Sequence, residues 1–298
     1  MTSNSDNTRG ALLMAASMTA FTLGDVSIKA IGHSMPLSQI LTLRGLVAVV
    51  FIAFLARRAG AMRFDFPLRD RALIALRVIA EIAAAVFFFI ALFNMPIANV
   101  SALMQMLPLT ITLGSAVAFR EPVGWRRWTA IGVGFAGMLL IVRPGTEGFN
   151  VYSLMALASV ASVTVRDLAT RRVSANVPSL AMTFATGVGV LGFAMLWSLW
   201  QDWVPITGQN AGLLALASVC IVGGYSFSIM AMRVGEVGFV APFRYTSLVL
   251  ALILGYVIFG ELPKPVALFG AAVIVGTGFY TLWRETRLRK RQAKMLRT

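Results

Sequence analysis

The sequence predicts an all-α integral membrane protein of ten transmembrane helices in two halves of opposite topology. Three observations predict it. The apolar content is too high for a soluble chain, the apolar runs have spanning length, and Lys and Arg are distributed unequally between alternate connectors.

Of 298 residues, 58% are hydrophobic and only 13% are charged, and the mean hydropathy is +0.80. A soluble domain carries about a quarter of its residues charged. Half of that is present here, so the apolar excess must face lipid. Spanning the hydrocarbon core takes about 20 apolar residues per helix. Ten runs meet that need, at 10–32, 36–58, 71–94, 96–119, 125–142, 150–171, 178–200, 210–232, 237–259 and 265–284. Pro36, Pro96, Pro178 and Pro265 open four of them, where the missing proline amide would be unpaired anyway. The first run follows a single Arg9 and goes on to carry Asp25 and Lys29. It is read as a retained helix rather than a cleaved signal.

The net charge of +14 raises nucleic acid as a partner, but its distribution excludes that reading. With a cytoplasmic N-terminus, the inner connectors hold Arg57, Arg58, Arg63, Arg69, Arg71, Arg120, Arg126, Arg127, Arg171, Arg172 and Arg233. A basic tail, 285–298, follows the last span, whereas the outer connectors hold only Arg143 and Lys264. Such asymmetry sets orientation. It places both termini, including the 1–9 tail, in the cytoplasm and requires an even number of spans. Trp197, Trp200 and Trp203 fall where an outer aromatic belt would lie.

The halves resemble each other at an offset of 140 residues, which superposes Glu121 on Glu261, Phe119 on Phe259, Val117 on Val257, Val100 on Val240 and Ala91 on Ala231. Five helices per half is an odd number, so the second half enters from the opposite side. Inverted halves of this kind are characteristic of transporters, in which they exchange conformations about a shared site.

The segment Ala118–Pro122, Phe259-Gly-Glu261, and the Gly-rich spans after each resemble the EamA family of the drug/metabolite transporter superfamily. The likeness covers about 10–285, with one five-helix repeat over 10–145 and the second, inverted, over 150–284. Within the family the chain looks most like bacterial amino-acid exporters, those for aromatic amino acids among them. The resemblance implies a multi-pass protein of the bacterial inner membrane and a central cavity. It also implies packing of the fifth and tenth helices through small residues. Alternative cargoes are purines, sugars or S-adenosylmethionine.

Charges inside spans are costly and face an interior or a partner. Asp25 and Lys29, and Arg77 and Glu81, are each four apart and share a helix face. They either pair along their own helices or serve a cavity, as does the adjacent Arg166 and Asp167. Asp25, Arg44, Glu81 and Arg244 lie deepest. A zwitterionic amino acid needs a cation for its carboxylate, suited to Arg44 or Arg244, and an acceptor for its ammonium, suited to Asp25 or Glu81. Tyr245 adjoins Arg244. Gln105 either braces helices or binds substrate. Tyr225 and the run Phe87–Phe89 either form an apolar wall or pack. Pro108 and Pro242 are candidate hinges, since each removes a backbone hydrogen bond.

Gly132-Val-Gly134-Phe-Ala-Gly137 matches a dinucleotide fingerprint, but the strand and helix start that give the fingerprint its chemistry are missing. The glycines are read as helix packing. His33 and Cys220 are the sole residues of their types, which leaves no metal or catalytic cluster and no cofactor. An enzyme is disfavoured on that ground, and a channel by the inverted halves. The expected protein is a monomeric exporter of small organic solutes working by alternating access.

Overall fold

The computed structural model describes residues 4–62, 65–120, 124–143, 150–234 and 237–295. Arg63, Glu121 and Pro122, which enter the sequence reading, lie outside them. All regular structure among the described residues is helical. In order, the elements are α1 Asn4–Ile31, α2 Leu37–Arg58, α3 Leu68–Asn94, α4 Ile97–Met104, α5 Leu107–Phe119, α6 Trp125–Val142 and α7 Tyr152–Arg172. Then follow α8 Ser179–Ser198, α9 Gly208–Val234, α10 Val237–Val240, a 3-10 turn Ala241–Tyr245, α11 Thr246–Phe259 and α12 Pro265–Met295.

Seven segments among the described residues are long and apolar enough to cross a membrane: Asp6–Ser34, Leu37–Arg58, Leu68–Asn94, Ile97–Phe119, Ser179–Ser198, Gly208–Val234 and Ala241–Phe259. The apolar stretch of α12, Pro265–Thr281, is shorter. α6 opens on Arg126 and Arg127, and α7 closes on Arg166, Asp167, Arg171 and Arg172, which lowers their hydropathy. Thus seven of the ten expected spans meet the length and composition standard outright. The last helix also continues to Met295, well past the expected end of the span.

Two expected spans are interrupted. The run 96–119 is α4 and α5, broken at Gln105 and Met106. Pro108 is the cause. It has no amide to reach the carbonyl four residues back, at Met104, and its ring clashes there. The Gln105 amide is shared between the Ser101 and Ala102 carbonyls, and the Met106 amide turns to Leu103, three residues back. The run 237–259 is divided in the same way, with Pro242 in the 3-10 turn between α10 and α11. Pro108 thus sits in the first turn after its break, and Pro242 within the interrupting turn itself.

Element boundaries recur at the 140-residue offset. α3 and α9 each have 27 residues, from Leu68 and from Gly208. α6 begins at Trp125 and α12 at Pro265. α5 ends at Phe119 and α11 at Phe259, each followed by a left-handed residue, Arg120 (φ 53°) and Gly260 (φ 65°).

The chain forms two compact units. One comprises residues 1–22, 95–154 and 223–298, and the other 23–94 and 155–222. In the first unit α6 packs along α12 through glycines. A Cβ on Gly137 would lie 2.9 Å from the Gly270 carbonyl oxygen, and one on Gly270 would lie 2.5 Å from that of Gly137. Gly134 meets Thr277 farther along α12, so the two helices run antiparallel. Small residues permit this approach, which gives dispersion contacts in a medium without a hydrophobic drive between helices. Also in this unit, the Glu261 carboxylate accepts a 3.1 Å bond from the Ile97 amide and so caps the start of α4.

In the second unit α2 packs on α8, with Gly45 against Leu191 and Gly187 against Val49. The start of α2 is tied to the connector after α8 by Gln39, whose amide donates to the Val204 carbonyl (2.9 Å) and accepts from the Val204 N–H (3.2 Å). The opposite stripe of α2, Leu46, Val50 and Phe54, is exposed at 53%, 61% and 53%. Polar groups turned inward and apolar ones outward are what lipid contact demands.

The α6–α12 contact generates a clear expectation. Gly270→Ala forces the backbones apart and lowers stability by about 1–3 kcal/mol, read as thermal unfolding in detergent. Gly192→Ala, with nothing within 4 Å of the new Cβ, does not. Equal behaviour of the two variants would refute the close-contact account.

Candidate functional site

Membrane charges concentrate in the second unit. Asp25 on α1 lies in the field of Arg44 on α2, and Cys220 on α9 lies near both charges. The helices approach closely here because Gly24 offers no side chain. A Cβ at that position would stand 3.3 Å from Cys220 Cβ. The Arg44 guanidinium also lies over the ring of Phe89 on α3, 5.3 Å from its centroid. A cation over an aromatic face is held there electrostatically, and a guanidinium is the side chain suited to bidentate contact with a carboxylate. Asp25, Arg44 and Phe89 therefore combine an acceptor, a planar donor and an apolar floor.

A second charged group in the same unit is already closed. Arg166 on α7 donates to Glu81 on α3 and to Asp167, both at 2.8 Å. These side chains are about a quarter to a third exposed, so the network is partly desolvated and its members depend on one another. Arg77, one turn before Glu81, does not pair along its helix with that carboxylate in any described bond. Its guanidinium donates to the hydroxyls of Thr170 and Thr186 (3.0 Å to the latter). Asp70 at the start of α3 is buried and accepts from the amide and hydroxyl of Ser174.

The first unit holds the two interrupted segments. Gln105, at the α4–α5 break, donates to the Ser247 hydroxyl on α11 (2.8 Å), and that hydroxyl donates to the Arg244 carbonyl (2.9 Å). A side-chain relay thus joins one break to the other and satisfies a carbonyl of the irregular turn, as lipid requires. Arg244 itself is exposed. Tyr245 is buried, with its hydroxyl pressed against Gly278 of α12. Tyr225 on α9 stands edge-on to Phe21, with ring centroids 5.4 Å apart.

The sequence-predicted residues therefore divide by unit. Asp25, Arg44 and Glu81 lie in the second, with Asp25 near Arg44 and Glu81 engaged by Arg166. Gln105, Tyr225, Arg244 and Tyr245 lie in the first, where Gln105 reaches the turn that carries Arg244. Of the aromatic run, Phe89 is buried beneath Arg44. Missed by sequence reasoning were Cys220, Ser247 and the link from Arg166 to Glu81, since no local spacing signals partners on different helices. His33 stacks edgewise on Phe93 at 5.6 Å. No group of three or more His, Cys, Asp or Glu residues among the described residues could hold a metal ion.

Comparisons with known proteins agree with this architecture. The model of the EamA-like transporter family matches residues 8–143 and 150–283. The riboflavin transporter of Vibrio cholerae serotype O1 is 27% identical over 287 residues, 95% of this chain and 96% of its own. The pseudopaline exporter CntI of Pseudomonas aeruginosa is 26% identical over 275 residues, 89% and 93% of the two chains. The S-adenosylmethionine uptake transporter of Rickettsia prowazekii is 25% identical over 195 residues, 64% and 65% of the two chains. A solved crystal structure, 19% identical, superposes with a TM-score of 0.62 over 94% of this chain and 98% of its own. That last likeness concerns the fold. The relatives are named for riboflavin, pseudopaline and S-adenosylmethionine, so the narrower likeness to amino-acid exporters gains no support from them.

The closed charge network makes its own prediction. Arg166→Met strands a part-buried Glu81 carboxylate and lowers stability by about 1–3 kcal/mol. The double change Arg166→Met with Glu81→Leu recovers most of that loss, as measured by thermal unfolding of the four proteins in a double-mutant cycle. Additive losses would show that the pair is not coupled.

Proposed function

This chain belongs to the EamA-like transporter family and is a membrane transporter, and we propose that its cargo is a small zwitterion with an amino-acid head group. The observation that carries the reading is an acceptor, Asp25, in the field of Arg44, whose guanidinium lies over the Phe89 ring. The substrate carboxylate docks on the Arg44 guanidinium and the ammonium group on Asp25, which stays partly accessible. Glu81 serves instead to hold Arg166. Bidentate contact with arginine gives geometric as well as electrostatic selectivity. Substrate charges replace the mutual attraction of Asp25 and Arg44, so the site is not left with unpaired charge when loaded or when empty.

We further propose that the protein has ten spans in two inverted five-helix repeats, with both termini cytoplasmic in a bacterial inner membrane. The family model's matches to residues 8–143 and 150–283 support this, as do the recurring element boundaries. Corresponding helices also pack on each other: α6 on α12 in one unit and α2 on α8 in the other. Alternating access by inverted halves then moves the cargo outward. The interrupted spans at Gln105 and at Pro242 supply segments whose backbone is not locked in one continuous helix, and they are the proposed hinges together with Pro108.

S-adenosylmethionine also bears an amino-acid head group, so a relative named for it fits the same site. A flat uncharged ring system is the second reading, favoured by the riboflavin transporter that matches over nearly the whole chain.

Counterflow in proteoliposomes separates these cargoes. Vesicles preloaded with unlabelled amino acids accumulate labelled phenylalanine, threonine or methionine, and excess S-adenosylmethionine is tested as a competitor beside riboflavin. Arg44→Gln weakens saturable uptake of the zwitterion roughly ten- to hundredfold, the loss expected of a charge-assisted bond. Uptake of riboflavin alone, unaffected by Arg44→Gln, would replace the zwitterion reading with the second one.

A further inference from the structure

Within the first unit, a groove of about 300 Å³ opens along the α6–α12 pair. Trp125 and Arg126 line it at the start of α6, Ala130 and Val133 form its α6 wall, and Gly276 and Tyr280 close it from α12. We propose that this groove binds one anionic membrane phospholipid, with its phosphate on Arg126 and an acyl chain along the helix seam. The proposal rests on the chain being a membrane protein and not on the identity of its cargo.

Several observations converge on that occupant. The groove's lining contains one cation and no acidic side chain. The Arg126 guanidinium is placed over the Trp125 ring, 5.2 Å from its centroid, and Arg126 is exposed. One turn and more beyond Tyr280, Arg287 repeats the arrangement over Trp283, also at 5.2 Å. Tyr280 and Trp283 are themselves neighbours, with centroids 6.4 Å apart.

Aromatic rings with arginine at a span end mark headgroup depth. Trp125 and Trp283 are exposed at 70% and 51%, so their rings are presented outward rather than packed. Below them the floor is built from Ala130, Val133 and Gly276, and a Cβ on Gly276 would meet nothing within 4 Å. That is an apolar trough continuous with a basic mouth, which suits an amphiphile. A free phosphate would use the mouth and leave the trough empty. A second copy of the chain would bring apolar helix against an exposed cation. Basic pockets between transmembrane helices recognise anionic headgroups by this combination of charge and contact.

The full-length protein is tested in nanodiscs of mixed phosphatidylglycerol and phosphatidylcholine, with retained lipid counted by native mass spectrometry. The wild type is expected to hold one phosphatidylglycerol in preference to phosphatidylcholine. Arg126→Gln lowers that affinity about fivefold, the change that corresponds to loss of one basic side chain at an anionic surface. Arg171→Gln, an exposed arginine of the other unit, leaves it unchanged. Arg126→Lys keeps the charge, loses the flat stacking on Trp125, and falls between; it also serves if Arg126→Gln does not fold. Equal retention by wild type and Arg126→Gln overturns the proposal, as does an equal loss in Arg171→Gln. Displacement of the lipid by millimolar inorganic phosphate assigns the mouth to free phosphate instead. A dimer without bound lipid assigns the groove to a second copy.

Discussion

A peptide group in hydrocarbon has no water to turn to, so each N–H and C=O must be satisfied within the protein. Much of this structure is organised around that constraint. Uninterrupted helices meet it alone. Where the chain breaks, side chains must take over, and they do so across long separations in sequence. Gln105 reaches Ser247, and Ser247 reaches the Arg244 carbonyl. Glu261 covers the Ile97 amide. The bonds from Gln105 and to Glu261 tie an irregular end to a different helix, whereas Ser247 satisfies a carbonyl of the turn just before its own helix.

The same scarcity of water governs the charges. Arg166 is shared by Glu81 and Asp167, and Arg77 by two threonines. Those groups are occupied by protein partners in the described structure. Asp25 lies in the field of Arg44, and the Arg44 guanidinium stands over the Phe89 ring. A ligand carrying both charges fits such a pair without stranding either member. This is why the proposed cargo is a zwitterion, and why Glu81 is assigned a holding role although its depth in the span is similar.

Much of the helix framework was legible because its signals are local. Apolar runs gave most segments, and prolines marked starts at α2, α4, α8 and α12. Phe119 and Phe259 marked matching helix ends. Of the fingerprint glycines, Gly134 and Gly137 pack against α12, whereas a Cβ on Gly132 would meet nothing within 4 Å. Hydropathy was a weaker guide for α6 and α7, because arginines at their ends and the serines and threonines of α7 dilute the apolar signal. The breaks were legible only as prolines. Their position, four residues upstream at Met104 for Pro108, follows from the carbonyl that the missing amide abandons. The site was half legible. Depth in a span singled out Asp25, Arg44, Glu81 and Arg244 alike, and i,i+4 spacing left Arg77 and Glu81 either paired along their helix or serving a cavity. The rest depends on which helices pack together, and that is not written in any one segment.

The account's central claim is that two related halves lie in the membrane with opposite orientation. Gly124 and Lys264 precede corresponding helices, α6 and α12, and both are exposed. Single cysteines would be placed there by Gly124→Cys and Lys264→Cys, each in a Cys220→Ser background, and treated with a membrane-impermeant maleimide in intact cells. The account predicts that Lys264→Cys is labelled directly, and Gly124→Cys only after the membrane is permeabilised. Labelling of both positions from the same side would contradict inverted halves.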